Sequence, residues 1–312
     1  MHKYILKRLL MIIPVVIIVS LTVFLLLELV PGDLAAKALG DFATPEALER
    51  FREEHGLNDP LFVQYFNYMR GVATGNLGNS FYNNIDVWDL YFMRLPYTVL
   101  LALTSSIFAV VLSIPLGIWA ALKRGSLIDT GASVISFFGI AMPNFWVGLM
   151  LVALLSVHFE LLPAVVIGGR ITFQNAIIPT ITMGTGLMGA ITRTTRSAML
   201  DVVYQDYLRT ARAKGLPEKK VIRKHALGNA WIPIVTMIGT QTAVLLGGSV
   251  ITETIFAWPG VGFTIVDAML LNDYPVVLGF IIMTAIFTSL IILLIDILYA
   301  FLDPRIKAEY AR

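Results

Sequence analysis

Six stretches of this 312-residue chain lack Asp, Glu, Lys and Arg altogether: 9–27, 95–122, 130–159, 171–192, 225–252 and 274–295. They are 19, 28, 30, 22, 28 and 22 residues long. A helix rising about 1.5 Å per residue needs about 20 apolar residues to cross hydrocarbon. Few other folds accommodate six such runs, because lipid offers the backbone no hydrogen bonds. Charged residues are only 14% of the chain, hydrophobic residues 57%, and the mean hydropathy is +0.78. Soluble domains carry about 25% charged residues. The expected fold class is therefore an all-α membrane protein with six transmembrane helices. The absence of cysteine removes disulfides and thiolate metal sites, and His2, His55, His158 and His225 show no ligand spacing.

The first run follows Lys3, Lys7 and Arg8, as a signal peptide would, but exceeds the 7–15 residues of a signal h-region. It reads as a retained anchor, residues 1–30. Six spans put both termini on one side, and charge selects which. The N-terminus, 123–129, 193–224 and 303–312 together hold 17 Lys and Arg, while 31–94, 160–170 and 253–273 hold 6. Lys and Arg in short loops stay in the cytoplasm. Both termini and the 193–224 loop are thus expected on that side.

That loop carries Leu200, Val203, Tyr204, Tyr207, Leu208 and Ala211 at helical one-face spacing, with Asp206, Arg209, Arg212 and Lys214 off the stripe. Gly215 suits a left-handed stop and Pro217 the opening of a second helix. A helix, a corner and a basic helix between two spans form either a docking element or a juxtamembrane helix on anionic lipid.

Tyr207-x-Arg209-Thr210-Ala211-Arg212-Ala213-Lys214-Gly215-Leu216, followed by His225-Ala226-Leu227-x-Asn229-Ala230-x-x-Pro233, resembles the cytoplasmic loop of ABC-importer permeases of the dipeptide, oligopeptide and nickel branch. The general family pattern opens on Glu-Ala-Ala; here Arg209-Thr210-Ala211 stands in its place, similar to the peptide-type variant.

Outside the loop, Thr44-Pro45 and Asp59-Pro60 open two short helices within 31–94. Pro31-Gly32-Asp33, Leu57-Asn58-Asp59-Pro60-Leu61 and Gly75-Asn76-Leu77-Gly78 resemble the external segment of the same branch. That segment either seats a solute-binding protein or packs as a lid on spans and headgroups. Met142-Pro143-Asn144 places a proline mid-span, as a bend or as pathway lining. Gly184, Gly186 and Gly189 with Thr180, Thr182, Thr185 and Thr192 suit close helix packing, or a polar conduit wall. Between Glu253 and Asp273, the run Thr254-Ile255-Phe256-Ala257-Trp258-Pro259-Gly260 is too short to span and fits a re-entrant or interfacial element. It closely resembles the permease branch, as do Asp273-Tyr274-Pro275 and the terminal Asp303-Pro304-Arg305.

The chain has no Gly-Lys dipeptide and so no phosphate loop, no His-Glu-x-x-His and no Gly-x-Ser-x-Gly. Energy must come from another subunit or an ion gradient. Glu28 and Asp296 alone among acids fall at span ends, which argues against a gradient-driven secondary carrier; a membrane-bound enzyme would lack a catalytic set.

The resemblance implies a type I ABC importer transmembrane domain at 95–305, with a coupling loop about 193–229, an external helical segment at 31–94 and a cytoplasmic tail at 306–312. It implies a homologous second permease, two cytoplasmic ATPases that bind ATP and Mg, an external solute-binding protein and the lipid bilayer as partners; no cofactor is expected on this chain, and no nucleic acid. Its setting would be a bacterial or archaeal cytoplasmic membrane. Tyr204, Tyr207, Leu208, Arg209, Thr210, Ala211, Arg212, Ala213, Gly215 and Leu216 would couple to the ATPase, with Tyr204, Tyr207, Leu208 and Ala211 as the buried contact face. Glu253, Phe256, Trp258, Pro259, Asp273 and Tyr274 would serve as external gate or binding-protein contact. Pro143, Asn144, Thr185 and Gln241 are conduit candidates. Cargo would be peptides, with nickel, a metal chelate or glutathione as alternatives.

Overall fold

The computed structural model describes residues 2–29, 32–40, 43–248 and 250–302, and among these every regular element is helical. Pro31, Asp303-Pro304-Arg305 and the 306–312 tail lie outside the described residues. In chain order the helices are α1 (His2–Glu28), α2 (Leu34–Leu39), α3 (Pro45–Glu54), α4 (Leu61–Ala73), α5 (Val87–Leu122), α6 (Leu127–Ala141) and α7 (Asn144–Leu151). There follow α8 (Phe173–Val203), α9 (Asp206–Ala213), α10 (Glu218–Lys220), α11 (Leu227–Leu246), α12 (Val250–Ile255), α13 (Val261–Leu270) and α14 (Tyr274–Leu302). π-helical turns at Val152–His158 and Val221–Ala226 extend α7 and join α10 to α11.

Four of these are long and apolar enough to cross a membrane: Tyr4–Glu28, Val87–Leu122, Glu218–Leu246 and Tyr274–Leu298. The bent pair Leu127–Ala141 and Asn144–His158, angled at 106°, is long and apolar enough only when its two helices are taken together, as a broken span or a re-entrant loop. The remaining run expected from the sequence, 171–192, falls in α8. That helix has 31 residues, ample length, but its glycines and threonines keep it below the apolarity of the others. The bend sits at Pro143, which has no N–H for the Gly139 carbonyl and disfavours helical dihedrals at Met142 (φ −80°, ψ 130°).

The chain divides into two compact units. The first comprises Val99–Trp258 with the chain from Ile291. Its hub is α8, on which α6, α7 and α11 pack. α8 opens with a capping box in which the Thr172 and Asn175 side chains exchange hydrogen bonds with each other's backbone N–H (3.3 and 2.8 Å). Glycine sets the closeness of the crossings. A Cβ on Gly139 would lie 2.7 Å from the Thr185 carbonyl oxygen, and one on Gly189 2.6 Å from that of Ser136.

The second unit comprises His2–Thr98 with Pro259–Leu290. Its core gathers Leu27, Leu77, Val87, Tyr91, Val276, Val277 and Phe280, and the Tyr91 and Phe280 rings meet edge to face at 5.2 Å. Thr44 caps α3 as its sequence predicts, and Asp33 caps α2. Arg52 on α3 binds Asp33 (2.7 Å) and Glu49 (2.9 Å). Its guanidinium holds both carboxyls below the usual range.

Candidate functional site

The 200–233 stretch forms a corner in the first unit. α8 ends at Val203; Tyr204 caps it, and Gln205 turns extended (φ −72°, ψ 147°) before α9 begins. The expected single helix from Leu200 is therefore two helices with a break at Tyr204–Gln205. The Gln205 amide donates to the Asp201 carbonyl (3.0 Å), and the Leu208 N–H to the Gln205 carbonyl (3.1 Å).

The break separates Tyr204 from the other expected contact residues, and within α9 the expected face divides by burial. Leu208 is wholly buried and Ala211 nearly so, packed with Ala198, Met199, Val221, Ile222, Ala226, Ala230 and Ile234 of the same chain. Leu208 and Ala211, expected on the face toward a partner, thus bury their apolar surface inside the chain. Tyr204 and Tyr207 remain outside, 60% and 42% exposed. Arg209, Thr210, Arg212, Ala213 and Gly215 are exposed and Leu216 is half-buried. Arg209 reaches Asp206 only at 3.6 Å, both largely exposed, so that pair fixes little.

The corner is closed by geometry the sequence foretold in part. Gly215 has φ +74° with open space around it, so its requirement is conformational, not steric. Its N–H donates to the Arg212 carbonyl (2.9 Å), and the Leu216 N–H to the Ala211 carbonyl (3.4 Å). Arg212 then grips Glu218 across the corner with two parallel bonds of 3.1 and 3.0 Å. Such a fork restricts rotation better than one contact.

The aromatic turn within 250–273 is buried. Glu253, Phe256, Trp258, Pro259 and Asp273, expected as external gate or binding-protein contact, are all buried within the chain. The reason is visible locally. Ala257 takes φ +48°, the Trp258 N–H returns to the Glu253 carbonyl (2.8 Å), and the Val166 N–H donates to the Phe256 carbonyl (2.9 Å). The tight turn drives Phe256 against Gly148 on α7 and Thr182 on α8; a Cβ on Gly148 would lie 3.1 Å from each. In the second unit, Asp273 accepts hydrogen bonds from the Ser80 hydroxyl and, at 3.1 Å, from the Phe81 N–H. Tyr274, half-buried, donates to the Leu27 carbonyl (3.2 Å).

Among conduit candidates, Pro143, Asn144 and Thr185 meet at the α6–α7–α8 crossing. A Cβ on Gly186, next to Thr185, would lie 3.1 Å from Asn144 Oδ1. Pro143 and Asn144 are exposed, while the Thr185 hydroxyl turns back to the Ile181 carbonyl (2.6 Å). Gln241 is half-buried on α11, beside Thr242, whose hydroxyl donates to Ser106 on α5 (3.1 Å).

The Asp129–Arg196 pair joining α6 to α8 escaped the sequence reading, which treated both as loop charges. Arg196 donates to Asp129 at 2.5 and 2.9 Å. The available signal was weak: an acid immediately before an apolar run and a base 67 residues away.

Among the described residues, helices long and apolar enough to cross a membrane, a bent helix pair, a buried aromatic turn and a braced basic corner define a polytopic helical membrane protein. The comparisons carry this further. Residues 113–308 match the family model "Binding-protein-dependent transport system inner membrane component", and residues 1–102 match its N-terminal companion. The chain belongs to that family of multi-pass inner-membrane permease subunits of ABC importers.

It is 39% identical to the dipeptide transport system permease protein DppB of Escherichia coli K12, over 98% of this chain and 99% of that one. It is 40% identical to the oligopeptide transport system permease protein AppB of Bacillus subtilis 168 (98% and 100% covered). The glutathione transport system permease protein GsiC of E. coli K12 is 39% identical (98% and 99%). An inward-facing structure of the MetNI methionine ABC transporter superposes with a TM-score of 0.56 at 18% identity, covering 69% of this chain and 96% of that one. That likeness bears on the fold.

Proposed function

We propose that this chain is one half of the translocation conduit of a peptide importer, driven by a separate ATPase through the Tyr204–Leu216 corner. The observation that carries the reading is the division of α9. Its inner side, Leu208 and Ala211, is packed into the bundle, while Tyr204, Tyr207 and Arg209 stand outside. A force applied to the outer side reaches α8 and α11 without slack. The family works with ATPase subunits and a binding protein; the proposed composition is two homologous permeases, two ATPases holding ATP and Mg, and one binding protein. Termini and corner would lie in the cytoplasm, following the distribution of Lys and Arg.

In this mechanism ATPase closure draws the corners of the two permeases together and opens the conduit away from the cytoplasm. The bend at Pro143–Asn144 and the buried Phe256–Trp258 turn, both bearing on α7 or α8, would be the parts that move. Peptides are the proposed cargo because the dipeptide and oligopeptide permeases match over essentially full length. Glutathione, itself a tripeptide, is the second reading, supported by the likeness to GsiC.

The test is uptake of labelled di- and oligopeptides into vesicles carrying the whole transporter, with and without ATP. Accumulation that requires ATP and is lost on replacing Tyr204 and Tyr207 by Asp upholds the proposal. Accumulation by this chain without ATPase subunits overturns it.

A further inference from the structure

The helix α4 is docked on α1 at a depth that a water-exposed lid would not reach. The Tyr65 hydroxyl donates to the Ile17 carbonyl (3.3 Å) and meets the Ser20 hydroxyl (3.0 Å), and Ser20 is completely buried. Ser20 also lies 3.4 Å from the Met69 sulfur, and the Phe24 and Tyr65 rings are 5.5 Å apart. Ile17 and Ser20 fall in the middle third of the uncharged run 9–27. At about 1.5 Å per residue they lie ~15 and ~10 Å short of the Leu27 end of that run. The run matches the ~30 Å hydrocarbon thickness, so these contacts occur at membrane depth.

The opposite side of α4 is apolar and bare. Phe62 is 77% exposed and Phe66 59%, one turn apart, with Leu61 and Val63 beside them. Asn67 and Arg70 continue that exposed side toward the last turn, which gives α4 the polar edge of an interfacial helix. At 13 residues it is too short to span. Because α1 itself exposes Ile18, Leu21 and Leu25 along the same stretch, the bare face of α4 continues a surface already turned to lipid.

We infer that α4 lies in the membrane interface, with Phe62 and Phe66 sunk among the acyl chains of the leaflet entered by the C-terminal half of α1. The external segment is then held to the bilayer by its own aromatic anchor.

The chain has no cysteine, so each single-cysteine variant of it is spin-labelled at one site in this subunit, with the signal from the complex of the cysteine-free chain subtracted as background. In the complete transporter reconstituted in nanodiscs, nitroxides at Phe62→Cys and Phe66→Cys are compared with one at Asp59→Cys, an exposed polar position just before α4. The expected result is an oxygen-to-nickel-chelate accessibility ratio at least severalfold higher at both phenylalanine sites than at Asp59. A ratio equal to the control means water and overturns the inference. Low accessibility to both quenchers means that a protein partner covers α4, and overturns it equally.

Discussion

Arg196 on α8 holds Asp129 at the first turn of α6 through two hydrogen bonds, and the same carboxylate accepts the Gly125 N–H at 2.9 Å. The Asp129 side chain is only 9% exposed and that of Arg196 29%. One carboxylate thus ties the turn before α6, the start of α6 and the last turns of α8 into a single joint, close in sequence to the proposed coupling corner.

Removing the charge from that joint leaves a half-buried guanidinium facing a neutral amide. Asp129→Asn is expected to destabilise the protein by roughly 1–3 kcal/mol, the cost of a charge-assisted bond lost at a shielded site. Thermal unfolding of the detergent-purified protein checks this. An unchanged transition would show that the pair does no mechanical work.

Gly215 needs only its left-handed dihedrals. Gly215→Val is expected to cost about 1–2 kcal/mol locally from the positive φ and to reset the corner that brings Arg212 to Glu218. Peptide-stimulated ATP hydrolysis should persist while uptake per ATP falls at least severalfold. Normal uptake would sink the coupling assignment.

Glycines along α6 separate close packing from mere permissiveness. A Cβ on Gly139 would meet the Thr185 carbonyl oxygen at 2.7 Å, whereas one on Gly131 meets nothing within 4 Å. Gly139→Ala should therefore destabilise by about 1–3 kcal/mol through forced helix separation. Gly131→Ala should be neutral or slightly stabilising, since alanine is the better helix former. Equal melting temperatures for the two variants would contradict the crossing.

The Arg52 cluster gives a pH dependence. Asp33 and Glu49 have folded-state values depressed chiefly by their hydrogen bonds to Arg52. Their contribution is complete above the unfolded carboxylate values of about 3.9 and 4.3 and is lost as pH falls through the depressed values. Protection of the α2 and α3 amides, taken relative to their intrinsic exchange rates, should fall only below about pH 4, and Arg52→Met should bring that loss of protection to neutral pH. Exchange in the Arg52→Met protein that matches the parent at pH 7 would remove the cluster's role.

Much of this architecture was legible because lipid imposes a blunt rule on sequence: the uncharged runs correspond to α1, α5, the bent α6–α7 pair, α8, α11 and α14. The cap at Thr44, the Pro143 break and the Gly215 turn follow from local chemistry and sit where it puts them. What stayed illegible was the direction of side chains. Leu208 and Ala211 shared a stripe with Tyr204 and Tyr207 on the assumption of an unbroken helix; the extended Gln205 took Tyr204 out of phase, and within α9 the surrounding segments of the same chain cover Leu208 and Ala211 but leave Tyr207 42% exposed. Trp258 and Phe256 looked like a surface because polar punctuation surrounds them, yet the gap above Gly148, visible only in three dimensions, receives the Phe256 ring. Asp129 and Arg196 are 67 residues apart, and no local pattern announces such a pairing.

The two-sided build of α9 has an evolutionary corollary. Because the residues that secure it to the bundle are different from those that stand outside, the proposed coupling implies that substitutions at Tyr204, Tyr207 and Arg209 change which motor is accepted without disturbing the fold. A lineage can thereby swap engines while keeping its chassis, and related importers that share a common ATPase should agree at these outer positions even where their spans have diverged.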